Sequence, residues 1–590
     1  MIPAVVDSGR VMWEGQRELR WSMERLADEA LDRAGVELDP RGFLVGLPEE
    51  DHDLPIRLEP ARRAFDLLAL RGLMDRADEL FAEQEERDDV PEELRAQDHY
   101  REAVMEGCRR QIVVEALTKA ARFTGRTVVI GMSVVVGDYR VFPVLAVQTE
   151  PWEELPSLAS TQVDGLSVDA SFQEAIVHDV LRAASRELDR TNPSSLIGVD
   201  AGAVLRSAAD TFVNGVVART GQEYPHGLRD ALDAVSAQTY EGRASTGSVV
   251  LAAKSHEDVA VEVGFARGVP LGVTRSFRRT LEMSGRGLRL LSDGREVHGL
   301  GRLLPGYDPA DETCFLVRVV GNGSWELWHG GTPYLRVDNG QPALPRELMD
   351  RDGFADTVAR VFAGHPAVDA EALWAVAEAC TQQQYGAMVV VHPDAAAEGE
   401  RLYPQSQLIE PTPLGSRAFA ALTRVDGAVL LSPDGRCHAV GVILDGAATG
   451  TGDSSRGARY NSAIRYLAGA GRGSMVIIVS EDGRIDLLPT LMRRVRRSTI
   501  EQAVQRLVDA VEQGEDYEKI ARLDRQCERL EFYLDDAQCE RVNQARETVE
   551  QRRWTEERVR LQVTPIQPHP AMDDTYFVEP AEEAQERLGA

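Results

Sequence analysis

One stretch, Val425 to Leu488, constrains the fold more than any other part of this chain. Two apolar segments flank Asp434-Gly435, and Asp-Gly between apolar segments is the strongest short-range indication of a β-hairpin. A loop rich in Gly, Ser and Thr follows, then a helix predicted to begin near Asn461 and a buried strand over Met475 to Val479. This order of elements predicts a mixed β-sheet flanked by helices.

The small-residue loop before this helix has the composition of an anion site. The free N–H groups and the dipole at a helix N-terminus both favour a bound phosphate. Asp426 at the start of the hairpin and Glu481 after the last strand are carboxylates at strand ends, which suit a divalent cation. These residues therefore predict binding of a phosphate-bearing ligand together with a metal ion.

Three short motifs occur here in a fixed order: Asp426-Gly427-Ala428, then Gly457-Ala458-Arg459-Tyr460-Asn461-Ser462-Ala463, then Val479-Ser480-Glu481. This order resembles the diadenylate cyclase (DAC) domain, also called the DNA-integrity-scanning nucleotide-binding domain. That family usually shows D-G-A, G-T-R-H-R and V-S-E. The segment Gln384 to Val391 looks like its first core strand, and the resemblance covers roughly residues 365 to 490. The family's Arg-His-Arg is Arg-Tyr-Asn here.

The resemblance implies a reaction, cofactors and partners. In the family, two domains face each other in an oligomer and each holds one ATP. Each 3′-hydroxyl attacks the α-phosphate of the opposite nucleotide, which gives cyclic di-AMP and pyrophosphate. The partners implied are therefore ATP or another adenine nucleotide and a second copy of the chain, and the cofactor is Mg²⁺ or Mn²⁺.

The resemblance also implies roles for single residues. Asp426 and Arg459 would be catalytic, and Asp426 and Glu481 would hold the metal. Leu444 stands where the family has an apolar residue against the base. The residues implied in nucleotide binding are Gly427, Ala428, Leu444, Gly457, Ala458, Arg459, Asn461, Ser462 and Ser480.

Other interpretations of the same residues remain open. A DAC-derived domain that binds or senses a nucleotide, or a cyclic dinucleotide, without turnover has the same motifs. The missing histidine and arginine favour it, because charge-assisted donors to phosphate are the strong ones. A scaffold without a ligand is the third interpretation. In that case Asp426 only caps a strand and Arg459 is a surface charge.

The 590 residues predict an α/β multidomain protein. We expect an N-terminal α+β domain over 1–155, a sensor-like α/β domain over 156–345, the DAC-like sheet over 346–490 and a helical extension with an irregular tail over 491–590. In the first domain Arg17 to Ala34 and Leu58 to Ala82 are predicted helices. In the last, Ser498-Thr499-Ile500-Glu501 predicts a helix start with a capping box.

Charge and cysteine content exclude several classes of partner. A formal net charge of −30 argues against nucleic-acid or anionic-membrane binding, which needs a basic face. The 6 cysteines are scattered without a C-x-x-C pair, as in reduced cytoplasmic proteins, and no Cys/His cluster has zinc-ligand spacing. No apolar segment is long enough to span a bilayer.

Overall fold

The computed structural model describes residues 12–49, 54, 56–60, 72–87, 98–120, 123–163, 166–222, 227–240, 243–285, 287–321, 323–345, 351–381, 386–423, 425–446, 458–469, 471, 473–479, 485–556 and 564–578. The chain forms two compact units, Met1–Arg346 and Glu347–Ala590. The finer division into four domains stays a prediction. Within the described residues, no helix has the length and apolarity needed to cross a membrane.

The first unit begins with an antiparallel sheet of five strands whose two faces pack against helices. Arg57–Glu59 is one of these strands and pairs with Arg41–Pro48, so the predicted helix from Leu58 is wrong at its start. The strands are β1 Arg41–Pro48, β2 Arg57–Glu59, β3 Arg126–Ile130, β4 Val134–Val136 and β5 Tyr139–Gln148. The helices are α1 Gln16–Ala34, α2 Leu73–Arg87, α3 Asp98–Thr118, α4 Thr149–Glu154, α5 Phe172–Leu188 and α6 Ala201–Arg219.

A sheet of eight strands, mostly antiparallel, follows in the same unit. Among the described strands of this sheet, only β10 and β12 pair in parallel. The remaining elements of the unit are the ribbons β6 Thr161–Val163 with β7 Leu166–Val168 and β8 Thr239–Tyr240 with β9 Arg243–Ala244, the helices α7 Leu228–Ser236 and α8 Thr274–Leu281, and the strands β10 Gly247–Leu251, β11 Val259–Pro270, β12 Arg289–Ser292, β13 Glu296–Leu303, β14 Phe315–Gly321, β15 Ser324–His329, β16 Thr332–Asp338 and β17 Gln341–Ala343.

The second unit contains the predicted mixed sheet, in the order β19-β21-β20-β18-β22-β23. Its strands are β18 Ala387–Val391, β19 Gln407–Pro413, β20 Ala428–Leu431, β21 Arg436–Val442, β22 Met475–Val479 and β23 Ile485–Leu488. Its helices are α9 Arg351–Val361, α10 Ala370–Thr381, α11 Ala395–Arg401, α12 Ser416–Leu422 and α13 Ala458–Ala468. The strand over Met475–Val479 is confirmed, and the helix predicted near Asn461 begins at Ala458.

Helices cover both faces of this sheet, as predicted. Val389 and Val391 lie on one face and pack with residues of α9, α10 and α12. Met388 and Val390 alternate to the other face and pack with residues of α11 and α13. All five residues of β18 are buried, as expected for a strand covered on both sides.

Three helices after the mixed sheet have a core of their own, which includes Tyr533 and, from the segment 564–578, Phe577. These helices are α14 Arg497–Glu512, α15 Tyr517–Arg529 and α16 Asp536–Glu556. The predicted helix α14 is confirmed, but it starts two residues earlier than a capping box with Ser498 as N-cap requires, so the capping box is wrong. The helix N-cap is Arg496, and it makes no side-chain capping hydrogen bond.

Candidate functional site

The candidate site lies at one end of the mixed sheet, where two motif segments meet. Strand β20 runs parallel to β18, and Val429 is paired with Val389. Strand β22 runs antiparallel to β18, and Val479 is paired with Ala387. The start of β20 and the end of β22 therefore lie at the same edge, with β18 between them, about 10 Å apart at two strand spacings. Asp426 precedes β20 at this edge.

Three residues predicted for the site fall outside the described part of the chain. Ser480 and Glu481 follow β22 directly, and Gly457 precedes α13. Proximity of Asp426 to Glu481 thus stays a prediction, as does the metal pair. Among the described residues, no group of three or more His, Cys, Asp or Glu side chains has the arrangement of a metal site.

The Asp426-Gly427 turn requires its glycine. Gly427 has φ +111°, a conformation that residues with a Cβ rarely adopt. A Cβ built on Gly427 would lie 2.6 Å from the carbonyl carbon and 2.8 Å from the carbonyl oxygen of Gly441. Gly427 therefore lets the start of β20 pass against the end of β21. The Oδ1 atom of the exposed Asp426 accepts the Gly427 N–H at 3.1 Å.

Helix α13 points its N-terminus toward the same edge. Its C-terminal end is tied to the start of β22, because Gly471 N–H donates to the Tyr466 carbonyl at 2.9 Å and Ser474 N–H donates to the Gly471 carbonyl at 3.0 Å. Because the connection between the end of α13 at Ala468 and the start of β22 at Met475 is short, the helix runs antiparallel to β22. The free N–H groups of its first turn, from Ala458 to Asn461, are therefore directed to the edge at which β22 ends.

The side chains of the first turns of α13 differ in their surroundings. Arg459 is half-buried and makes no ion pair with any residue in the described ranges. Tyr460 packs against the core on this face, and Asn461 also makes contacts of its own. Ser462 is half-buried, and Ala458 is exposed. Arg459 is thus a cation in the first turn of α13 with no carboxylate partner among the described residues.

Leu444 lies just beyond the end of β21, which reaches the same edge because Val442 pairs with Ala428. It is half-buried and packs against the core formed with α11 and α13. Its neighbour Ile443 is 57% exposed. An apolar surface of this kind suits a flat base, so the position of Leu444 is compatible with its predicted role.

A cluster of four polar side chains next to Leu444 was not predicted from the sequence. Arg401 donates to both oxygens of the buried Glu398 at 2.7 Å each and to both oxygens of Asp445 at 2.7 and 2.8 Å. Tyr466 donates to Glu398 at 2.7 Å. Glu398 and Arg401 are an i,i+3 pair on α11, but Asp445 and Tyr466 are 44 and 68 positions away from their partners in the cluster. Only the folded structure shows that these distant residues meet.

The ionisation of this cluster follows from its contacts. Burial favours the neutral form of Glu398, but hydrogen bonds from Arg401 and Tyr466 outweigh that effect and the pKa of Glu398 is lowered. The hydrogen bonds from Arg401 likewise lower the pKa of Asp445. Burial, then the contact with Glu398, raises the pKa of Tyr466. Glu398 and Asp445 are therefore carboxylates and Tyr466 is a neutral donor at neutral pH.

Neither the thiols nor the histidine of the hairpin offers a nucleophile or a base at this edge. All the cysteines are free and buried, and burial raises the pKa of Cys437 in β21 to about 11 and that of Cys380 to about 12. His438 lies toward the opposite end of the sheet, where its Nε2 is 3.0 Å from Ser432 Oγ, and burial lowers its pKa.

Comparisons with known protein families match the first unit. Residues 12–213 match the family described as probable sensor domain DACNG, and residues 226–331 match probable sensor domain DACNH. Both are N-terminal domains of diadenylate cyclase-type proteins. Neither matched range includes the sheet that holds Asp426. No curated protein matches the chain.

The two matched ranges are packed together around a common core. Phe212 of the first range and Trp325 of the second are fully buried in the same hydrophobic cluster. Arg229 of the second range donates to Asp210 of the first at 2.6 Å. Arg229 also donates to Asp233 at 2.7 Å, and Asp233 accepts the Trp325 Nε1–H at 2.6 Å. The DACNG-like and DACNH-like ranges are therefore joined by a core and by a polar network.

Proposed function

We propose that the domain around Asp426 is a diadenylate cyclase-like nucleotidyltransferase, which condenses two ATP molecules into cyclic di-AMP. The observation that carries this proposal is the convergence, at one sheet edge, of the Asp426-Gly427 turn, the end of β22 and the N-terminus of α13. The two matched sensor ranges, which precede this domain in the chain, support it independently. We expect the reaction in the cytoplasm, where ATP is available.

The proposed reaction forms one phosphodiester bond at a time. The 3′-hydroxyl oxygen of one ATP bonds to the α-phosphorus of the other, the bond from that phosphorus to the pyrophosphate oxygen breaks, and the hydroxyl proton leaves. The same step with the roles exchanged closes the ring, so two pyrophosphates are released. Because each domain holds one ATP, two copies of the chain must face each other.

The chain's own residues have separate tasks in this proposal. The Asp426 carboxylate is exposed and accepts the Gly427 N–H through one oxygen, so it remains able to face the attacking hydroxyl. Carboxylate oxygens are what Mg²⁺ or Mn²⁺ prefer, and Asp426 and Glu481 would hold the ion. When bound, the ion neutralises phosphate charge and makes the hydroxyl more acidic. The N–H groups of α13 and Arg459 hold the phosphates, with Ser462 and Ser480 as hydroxyl donors.

Arg459→Ala should weaken the binding of ATP by about 1.5–3 kcal/mol, the scale of a charge-assisted hydrogen bond. The physical reason is that Arg459 has no ion pair among the described residues, so its charge is available to a phosphate. Titration calorimetry of the full chain measures this change. Arg465→Ala is the matched control, because Arg465 lies on the same helix but near its other end. Equal ATP affinity of wild type and Arg459→Ala would rule this phosphate site out.

A second candidate function is binding of a nucleotide or cyclic dinucleotide without turnover. The observation that favours it is Tyr460, which occupies the histidine position of the family motif and packs against the core. A side chain used for packing supplies no cationic donor to a phosphate. Asn461, in place of the second arginine, removes a further charge. Both candidates require the same nucleotide site, and they differ only in whether a product forms.

A further inference from the structure

The segment 443–446, which carries Leu444, is held between two helices. On one side Asp445 accepts two hydrogen bonds from Arg401 at the end of α11. On the other side Gly446 lies directly against α13, since a Cβ on Gly446 would be 2.7 Å from the carbonyl carbon of Arg465. The chain therefore leaves β21 at the candidate site and is fixed within three residues of Leu444.

Arg401 is suited to hold this segment because its own guanidinium is fixed by the buried carboxylate of Glu398. Its Nε and Nη2 bond to Glu398, whose side chain is 5% exposed, and its Nη1 and Nη2 bond to Asp445. An exposed ion pair has a small effect when both side chains must be ordered to form it. Here the buried carboxylate orders the guanidinium in advance, so the planar fork meets Asp445 with less loss of entropy.

The charges of this cluster disfavour a direct phosphate contact for Arg401. One arginine faces two carboxylates, so the group has a net charge of −1 and repels a phosphate. Four of the five guanidinium N–H groups already donate to carboxylate oxygens, which leaves only one N–H, on Nη1, outside these bonds. What the cluster can do is fix the backbone beside Leu444.

We propose that Arg401 is a positioning residue of the nucleotide site: through Asp445 it fixes the segment 443–446 and so places Leu444 against the base. This inference rests on the proposed nucleotide-binding function and adds a residue that the motifs do not include. Arg401 does not touch the ligand. Its effect on affinity comes through the nucleoside half of the nucleotide rather than the phosphates, which bind at the N-terminus of α13.

The variant that tests this is Asp445→Asn in the full chain. This substitution weakens the ion pair between Arg401 and Asp445 and leaves the buried pair of Glu398 and Arg401 intact. A substitution of Arg401 would instead leave the buried Glu398 without its cation. Asp434→Asn is the matched control. Asp434 is also paired to an arginine, Arg436, but it lies in the β20–β21 turn at the opposite end of the sheet. Asp445→Glu, which keeps the charge, is the rescue variant.

Calorimetry uses 3′-deoxy-ATP, which lacks the attacking hydroxyl, and inorganic tripolyphosphate, each with Mg²⁺. We expect Asp445→Asn to lower affinity for 3′-deoxy-ATP about fivefold, the upper end for a partly exposed ion pair. Affinity for tripolyphosphate should not change, the Asp434→Asn control should match wild type, and Asp445→Glu should recover part of the loss. Equal loss for both ligands would indicate general damage to the domain and would overturn the proposal.

Amide hydrogen exchange, measured without nucleotide, tests the positioning role of Arg401 separately from the proposed nucleotide-binding function. Amides of residues 443–446 should exchange faster in Asp445→Asn than in wild type. If their exchange does not change, Arg401 does not hold the segment and the inference fails, whatever the protein binds. If exchange rises but wild type binds no 3′-deoxy-ATP, the proposed function fails and the claim about Leu444 fails with it.

Discussion

Asp426→Asn should reduce cyclic di-AMP formation by a factor of about 1,000 or more, while ATP affinity stays within about threefold of wild type. The proposed task of Asp426 is activation of the 3′-hydroxyl next to a metal ion, a task for which a neutral amide lacks the charge. Asparagine keeps an oxygen that can accept the Gly427 N–H, so the turn itself should persist. The measurement is product formation from ATP, followed by mass spectrometry, alongside titration calorimetry.

Asp434→Asn provides the control for this result. Asp434 lies in the same sheet, next to Gly435 rather than Gly427, and at the end away from the candidate site. It should change neither product formation nor ATP affinity. Wild-type product formation by the Asp426→Asn protein would contradict the assignment of Asp426, even if the nucleotide site itself were correct.

Gly427→Ala should destabilise the second unit by about 3 kcal/mol or more and abolish nucleotide binding. Two costs add: alanine is strained at φ +111°, and its methyl group would lie 2.6 Å from a backbone carbon of Gly441. Backbone of β21 cannot move away without breaking its pairing with β20. Urea unfolding of the full chain, with hydrogen exchange of β20 and β21 to identify the unit that unfolds, measures the loss.

Gly415→Ala is the matched control for Gly427→Ala. Gly415 has φ −73°, and a Cβ built there would meet no atom within 4 Å. As the N-cap of α12 it should lose about 0.5–1 kcal/mol on replacement by alanine, well below the loss expected at Gly427. If both variants unfold at the same urea concentration as wild type, the close approach of Gly427 to Gly441 is not a constraint on the fold.

The elements of the mixed sheet could be predicted because their residues carry local patterns. Met475 to Val479 is a continuous β-branched and apolar strand, and Asp434-Gly435 fixes the hairpin. The predicted helix from Leu58 to Ala82 is wrong at its start, because the helical spacing of apolar residues begins later in the chain than Leu58. In the structure Leu58 pairs with Val45 of β1, a long-range contact that has no local pattern.

Only those residues of the candidate site that belong to sequence motifs could be predicted. The register shows that Asp426 and the end of β22 share an edge, while the roles predicted for Asp426, Leu444 and Arg459 stay predictions. The pairing of Arg401 with Asp445 could not be predicted from the sequence, because 44 positions separate the two residues. Each of them also resembles an ordinary charged surface residue. The capping box at Ser498 is wrong for the opposite reason: the pattern is present, but the N-cap of the helix is Arg496, two residues earlier.

Incubation of the 590-residue chain with ATP and either Mg²⁺ or Mn²⁺, with mass spectrometry of the nucleotides formed, tests the proposed cyclase activity most directly. We expect cyclic di-AMP and pyrophosphate as products. Where the face-to-face oligomer dissociates, the rate should increase more steeply than linearly with protein concentration, because each copy holds one ATP. Binding of ATP with no cyclic dinucleotide from either metal would contradict the cyclase and favour the sensor.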